Sequence, residues 1–421
     1  MTFPAQRYGG PAGANLADPA FWQLPPEDRL AAFARLRALD GPQYFRERPA
    51  GRRRPERGHW ALVRYADVQE ASRNPKVFAS APGVTTPEPA RWVRALFGDS
   101  MVNLDGSDHA QLRKIVQRAF TPRLLAAAEA DIHAVAARIV DDVLARRPDE
   151  FVTAVASRLP LEVICNMMGI PEHYRPEIAD RVNHASENIG VERGLGARLR
   201  IPGRGLRALA RMQRMVAGIG RERRRNPADD LISALVTADV DGQALGARQL
   251  GAFFALLMVA GVETTRNAIT HGLALLTDHP DQRELLLSDF EAYADGAVDE
   301  MIRHSTPIIQ FRRTVRAGHT LGGRTFVPGD KVVLYYASAN RDEAVFPDPD
   351  AFDITRSPNP HLGFGGGGPH FCLGAHLARV EMKALFRELL SRPRELRAVG
   401  LPDLAGSNFD NRVRSLKFAF E

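Results

Sequence analysis

The chain has 421 residues, 44% of them apolar and 25% charged, with 56 basic against 50 acidic residues and a net charge of +6. This is globular composition with ample length for a large core. Two cysteines, Cys165 and Cys372, exclude a disulfide framework and point to a reducing cytoplasm. The basic residues are nearly all arginine and form no motif with interleaved aromatics, so no nucleic-acid partner is expected.

Residues 1–18, rich in Gly, Pro and Ala, read as a flexible N-terminal segment with no signal-peptide pattern. Residues 19–421 read as a single domain. Two strands, QYFRER and HWALVRY, flank a basic turn at 48–59. Apolar spacing of 3.6 residues then predicts helices over 112–120, 124–147 and 161–170. The segment 191–207 breaks the pattern with glycines, a proline and arginines at 193, 198, 200, 204 and 207. Helical patterns resume at 208–225, 247–277, 292–304 and 373–391. Short strands appear at GHTLGG, RTFV and KVVLYY. The longest apolar stretch, Leu250 to Val262, ends at Glu263, short of the roughly 20 residues that span a bilayer. No transmembrane segment is therefore expected. There is no internal repeat. The fold class is mainly α with small β-sheets.

Cys372 lies between a glycine run, GFGGGGPHF, and the helix pattern LGAHLARVEMKALFRELL. A cysteine at a helix N-terminus meets unpaired N–H groups and the positive end of the dipole, which favour thiolate. Glycines let the backbone approach a large partner. A phosphate loop would need Lys-Ser/Thr after the glycines, and none follows. A nucleophilic cysteine with His370 as base lacks an evident orienting group. A thiolate ligand to a haem iron is the third reading. Cys165, within an apolar helix, reads as buried and inert.

Two distant segments bear on the choice. In LLMVAGVETTRNAITHGL (256–273), a glycine and paired threonines weaken a long apolar helix. Small Ala260 and Gly261 make room for a ligand. Thr264 can bond a carbonyl one turn back, and Glu263 and Thr264 can pass protons inward. In DEMIRHSTPIIQFRRTV (299–315), Glu300 and Arg303 share a helix face, a pattern that is by itself only an ordinary ion pair.

Together, Glu300-Met301-Ile302-Arg303, Ala260-Gly261-Val262-Glu263-Thr264-Thr265, the segment VFPDPDAFDITR (345–356) and the Cys372 loop resemble the cytochrome P450 family in order and spacing, over roughly residues 20–420. GFGGGGPHFCLGAHLAR, VETTRNAITHG, SANRDEAVF and LPLEVICNMMGIP look like its actinobacterial branch acting on methyl-branched lipids and sterol side chains. Phe364 stands eight residues before the cysteine rather than the usual seven, a shift that this branch shares. Val262 stands where the branch usually has Asn.

The resemblance implies a P450 monooxygenase with haem b, in which Cys372 is the axial thiolate and metal ligand. Thr264 and Glu263 become the proton-delivery pair. His109, Arg113, Arg313 and His370 become partners of the haem propionates. Glu300 and Arg303 become structural, with Arg356 a third partner. Trp92, Phe97, Val102, Leu256, Val259, Ala260, Ile308, Ile309 and Phe409 become substrate contacts. The reaction implied is hydroxylation of a C–H bond in a branched lipid, terpenoid or steroid-like molecule, using O2. Electrons would come from an acidic ferredoxin, with an NAD(P)H-dependent reductase, docking on Lys114, Arg118, Arg379 and Lys383. A monomer is expected. The arginines of 191–207, a segment that lids the pocket in this family, read either as a site for an anionic substrate end or as a solvated face. Alternatives are a natural-product tailoring enzyme and a non-catalytic haem sensor or binder.

Overall fold

The computed structural model describes residues 10–47, 58–86, 100–180, 202–238, 244–393 and 395–421, and for 202–210 the backbone only. The helices are α1 (Pro26–Arg37), α2 (Tyr65–Arg73), α3 (Gly106–Ala119), α4 (Pro122–Arg146), α5 (Arg158–Met167), α6 (Pro202–Arg225), α7 (Leu231–Thr237), α8 (Ala247–Asp278), α9 (Pro280–Ser288), α10 (Phe290–Ser305), α11 (Tyr336–Ala339) and α12 (Ala375–Ser391). The strands are β1 (Gln43–Arg46), β2 (Gly58–Leu62), β3 (Phe78–Ala79), β4 (Gln310–Val315), β5 (His319–Leu321), β6 (Arg324–Phe326), β7 (Lys331–Tyr335), β8 (Arg397–Leu404) and β9 (Val413–Ala419). One five-stranded sheet runs β1-β2-β7-β4-β3, with β2 and β7 parallel and the other pairs antiparallel. Two hairpins, β5-β6 and β8-β9, stand apart.

Helix boundaries follow local chemistry. The Thr121 hydroxyl caps α4 by accepting from the Leu124 N–H at 3.2 Å, and Pro122 opens the helix. Its buried residues Ile132, Val135, Ala136, Ile139, Val140 and Val143 recur at three- and four-residue spacing, which turns one stripe to the core. Each such Ile or Val side chain contributes about 1.5–3 kcal/mol on burial. Asp289 caps α10 in the same way, accepting from Ala292 N–H at 3.1 Å.

The core has a helical part and a sheet part. Buried faces of α4, α8, α10 and α12 meet with β9 in one cluster. A second cluster joins α3, α5, α6, α7 and the first half of α8. α8 thus runs between the two. It is long and apolar enough to cross a membrane by length and composition, yet its most apolar window is 61% buried in the fold. The helix therefore continues past Glu263, where the apolar stretch of the sequence ends.

Residues 10–18 are packed, contrary to the flexible segment expected there. Ala14 and Leu16 are buried with Phe21, Trp22 and Phe33, and the Trp22 indole N–H donates to the Leu16 carbonyl at 3.0 Å.

Candidate functional site

A cavity of about 870 Å³ opens between α8, the Cys372 loop, the start of α3 and the sheet. The loop reaches it because glycine relaxes two constraints. Gly365, Gly367 and Gly368 have φ of +99°, +87° and +77°, values that L side chains rarely adopt. At Gly366 a Cβ would meet the Ser72 hydroxyl at 2.5 Å, so the loop lies directly on α2. The Cys372 N–H donates to the Phe364 carbonyl at 3.0 Å, closing the turn. Gly365, at the position where the usual spacing puts Phe, could not carry that side chain without strain. Phe364 instead packs beneath the Arg379 guanidinium, 4.5 Å from its ring centre.

The thiol of Cys372 lines the cavity. Burial pushes it above its ordinary range, while the Gly374 N–H, Arg113 and Arg379 pull it down. α12 starts at Ala375, three residues beyond the thiol. Cys165 is buried in the core, where burial pushes its thiol up to about 11.

Four nitrogen-bearing side chains line the same cavity: His109 and Arg113 on α3, Arg313 on β4 and His370 on the loop. The rings of His109 and His370 stand 4.2 Å apart. Burial, then the charges of His370 and Arg113, push His109 down to about 4. Arg113 donates to the Phe371 carbonyl at 2.9 Å. Arg313 is buried and donates to the Arg312 carbonyl at 3.0 Å. Asp105 organises this corner. Burial would raise its carboxyl, but the His370 imidazole 3.8 Å away and hydrogen bonds from the Ala81 and Ser80 N–H groups hold it near 2. Its oxygens accept from the Ser80 and Ala81 N–H groups, each at 2.8 Å, and Ser80 Oγ lies 3.0 Å from His370 Nε2.

On α8, residues Met258–Glu263 form a π-turn, the local widening that often marks functional sites. The Thr264 hydroxyl donates to the Ala260 carbonyl at 2.5 Å. Ala260 and Val259 open to the cavity. Gly261 lines the cavity too, and a Cβ there would meet Ile164 Cδ1 at 2.5 Å, so this glycine also lets α5 pack closely. Glu263 is buried in the cavity wall. Its Oε2 lies 2.8 Å from Arg266 Nη2 and 3.4 Å from Arg412 Nε.

Glu300 and Arg303 form a fully buried two-point ion pair at 2.7 Å. Arg303 also donates to the carbonyls of Asn340, Pro349 and Ala351. Glu300 accepts from Asp353 N–H, Arg356 Nε and Asn359 Nδ2. Every charge is met, which is what makes such burial tolerable.

The profile of the family described as Cytochrome P450 matches residues 208–394. A methyl-branched lipid omega-hydroxylase from Mycobacterium tuberculosis is 41% identical, over 96% of this chain and 94% of that protein. A steroid C26-monooxygenase from Mycolicibacterium smegmatis is 35% identical, over 85% of this chain and 83% of that protein. A solved cytochrome P450 from Mycobacterium marinum, in complex with pseudoionone, superposes with a TM-score of 0.85 at 39% identity, covering 96% of this chain and 97% of that one.

The chain is a cytochrome P450. It is accordingly a haem b monooxygenase, and the cavity can be tested against that group. The donor set fits. Two arginines and two histidines converge on a cavity with a thiol, and neither Arg113 nor Arg313 is ion-paired to a carboxylate among the described residues. A macrocycle bearing two carboxylates calls for such donors, and a thiol is one of the axial ligands that haem iron takes.

The anticipated substrate contacts divide. Val102, Leu256, Val259, Ala260, Ile308 and Phe409 line the cavity of this P450. Ile309 does not: its side chain points the other way, into the core with Trp22 and Tyr335, while its backbone N–H bonds the Phe409 carbonyl at 2.8 Å. Alternation along extended backbone sends Ile308 and Ile309 to opposite faces. Val262 is likewise buried in the second core cluster and does not line the cavity. Trp92, Phe97 and the arginines at 193, 198 and 200 lie outside the described residues, as do the side chains of those at 204 and 207.

Sequence reasoning missed Asp105, Ser80, Asn340, Arg266, Asp410 and Arg412. Asp105 had a signal: an acidic residue beside glycine just before a helix that carries two cavity residues. Asn340 stands in the quoted SANRDEAVF, where its side chain accepts from Leu362 N–H and donates to Thr306. Arg412, remote in sequence, had none.

Proposed function

We propose that this P450 hydroxylates the end of a methyl-branched lipid or steroid side chain. Cys372 would hold the haem iron through its thiolate, and His109, Arg113, Arg313 and His370 would hold the propionates. The observation that carries the reading is the convergence of a loop thiol, four nitrogen donors and an apolar wall on one cavity. Haem, when bound, supplies the activation of O2 that inserts one oxygen atom into a C–H bond and releases the other as water. The protein supplies the rest. Leu256, Val259, Ala260, Ile308 and Phe409 exclude water and orient an apolar chain. Thr264 holds a proton at its hydroxyl, and Glu263 replenishes it. The relatives' names supply the substrate class: one acts on methyl-branched lipids at the omega position, another on steroids at C26, both of them chain ends.

Electrons come from an acidic ferredoxin, and the protein works as a cytoplasmic monomer. Of the four cations proposed for docking, Arg379 pairs with Asp299 and Lys383 with Asp295, each at 2.7 Å.

The test is a spectral titration of the haem-loaded protein with an iso-branched fatty acid and with a sterol, followed by product analysis under turnover. Displacement of the Soret band and a terminal alcohol support the reading. Absence of both with both compound classes overturns it.

A further inference from the structure

Residues 204–225 of α6 hold eight arginines against one acid, Glu222, so this helix alone is more positive than the whole chain at +6. Such local asymmetry points to an anionic partner. Positions 204, 207, 211, 214, 218, 221 and 225 follow alternating steps of three and four, which sets them in one row on a helix. All are arginine except Gly218. Arg211, Arg214, Arg221 and Arg225 are exposed. Arg211, Arg221 and Arg225 pair with no carboxylate among the described residues. The next acids are engaged elsewhere: Glu222 lies 3.6 Å and Asp230 2.5 Å from Arg223, and Asp229 lies 2.5 Å from Arg123.

The other side of α6 meets the site. Val216 and Ile219 are buried in the second core cluster with Leu250, Phe253 and Phe254 of α8. A Cβ at Gly220 would meet Leu250 Cδ2 at 2.7 Å, so the two helices touch. Gln213, turned away from the row, lines the cavity. α6 is therefore a wall one helix thick, with the cavity behind it and cations in front. From Arg211 to Arg225 the row runs about 21 Å at about 1.5 Å per residue. A Cβ at Gly218 would meet only Arg221 Nη2, at 3.9 Å, so nothing in the packing bars a side chain there.

We propose that the arginine row of α6 docks this protein on an anionic lipid surface, beside which the apolar substrate enters the cavity. A straight row of cations fits a partner whose anionic groups lie in a plane, and lipid phosphates do. Each arginine near such a surface adds a similar increment of binding, which fades within a screening length. The row holds no apolar anchor, so attachment is electrostatic and reversible. The choice of a lipid surface rests on the substrate reading above, because a methyl-branched lipid or a sterol resides in a membrane rather than in water.

The experiment is flotation of the haem-loaded full chain with vesicles of phosphatidylglycerol and phosphatidylcholine in equal parts, and with phosphatidylcholine alone. Binding is expected only where phosphatidylglycerol is present, and it should vanish at about 1 M salt, where screening leaves a range of about 3 Å. Arg211→Gln, Arg221→Gln and Arg225→Gln together should weaken it at least about tenfold. Lys76→Gln, Arg146→Gln and Arg397→Gln together, the same charge lost from exposed positions on other elements, should not. Gly218→Arg completes the row and should tighten binding about fivefold, a gain that a damaged fold does not give. No binding to phosphatidylglycerol vesicles overturns the proposal. So does equal loss in both triple variants, which would assign binding to net charge alone. If an acyl carrier protein bearing an iso-branched chain binds the row and vesicles do not, the partner is a protein. If the row variant keeps vesicle binding but its spectral Kd for a free iso-branched fatty acid rises, the row serves the substrate's own carboxylate. Either result overturns docking on lipid. Flotation needs no turnover, so failure of the substrate reading shows separately, as absent product with vesicle binding intact.

Discussion

Single residues show where burial has been compensated and where it has not. Arg303 and Glu300 are compensated on every side, and removing one partner strands the other charge. Arg303→Ala is expected to cost about 3–5 kcal/mol, a large share of the roughly 5–15 kcal/mol that holds a protein folded. Denaturant titration should show this loss, and little haem should be recovered with the variant. Glu381 is the opposite case. It is 3% exposed, its Oε2 has no hydrogen-bond partner among the described residues, and burial pushes it up to about 8 from an ordinary 4.5. The folded protein keeps a proton that the unfolded chain releases over that window, so this residue's contribution to stability falls as pH rises from 4.5 to about 8. Glu381→Gln should remove that decline. Denaturation midpoints of the two proteins compared across the window check it; parallel pH curves would contradict the assignment.

At the scale of elements, the sequence pattern was informative wherever one period dominated. The helices around 124–147, 208–225, 292–304 and 373–391 and the strand in KVVLYY lie where apolar spacing places them. β4 was not legible, because Arg312 and Arg313 interrupt its apolar alternation although both are buried; Arg312 is satisfied by the Gly83 carbonyl at 2.8 Å. The β8-β9 hairpin was hidden by Gly400 and Pro402 within β8. The cationic face of α12 looked free because its partners lie on another helix. Arg379, Lys383 and Arg387 recur every four residues and pair with Asp299, Asp295 and Glu291 of α10, a ladder between antiparallel rows. Lys114→Glu and Lys383→Glu together should slow reduction by an acidic ferredoxin, with the effect shrinking as salt rises. Stopped-flow reduction rates decide it, and unchanged rates in the double variant would contradict docking on this face. Within α8, Thr264→Val keeps the shape but loses the hydroxyl. Product per NAD(P)H should fall at least about tenfold with peroxide rising in its place, measured by coupled peroxide and product assays.

Over the whole molecule, the site is legible in sequence where one motif supplies several groups at once, as with His109 and Arg113 or with Glu263 and Thr264. It is not legible where chain closure brings groups together. Nothing in the order of residues shows that Ser80, Asp105 and His370 share a corner, or that Arg412 meets Glu263 across 149 positions. The same closure decided Ile309, which the linear motif placed near substrate and packing turned into the core. What the fold accomplishes is to bring one thiol and four nitrogen donors onto a single apolar cavity. The central claim is that Cys372 ligates iron as a thiolate there. The absorbance spectrum of the reduced, CO-bound, haem-loaded protein tests it most directly. A strongly red-shifted Soret band, lost in Cys372→Ala, is the predicted result. A band at the shorter wavelength of histidine or neutral-thiol ligation would contradict it.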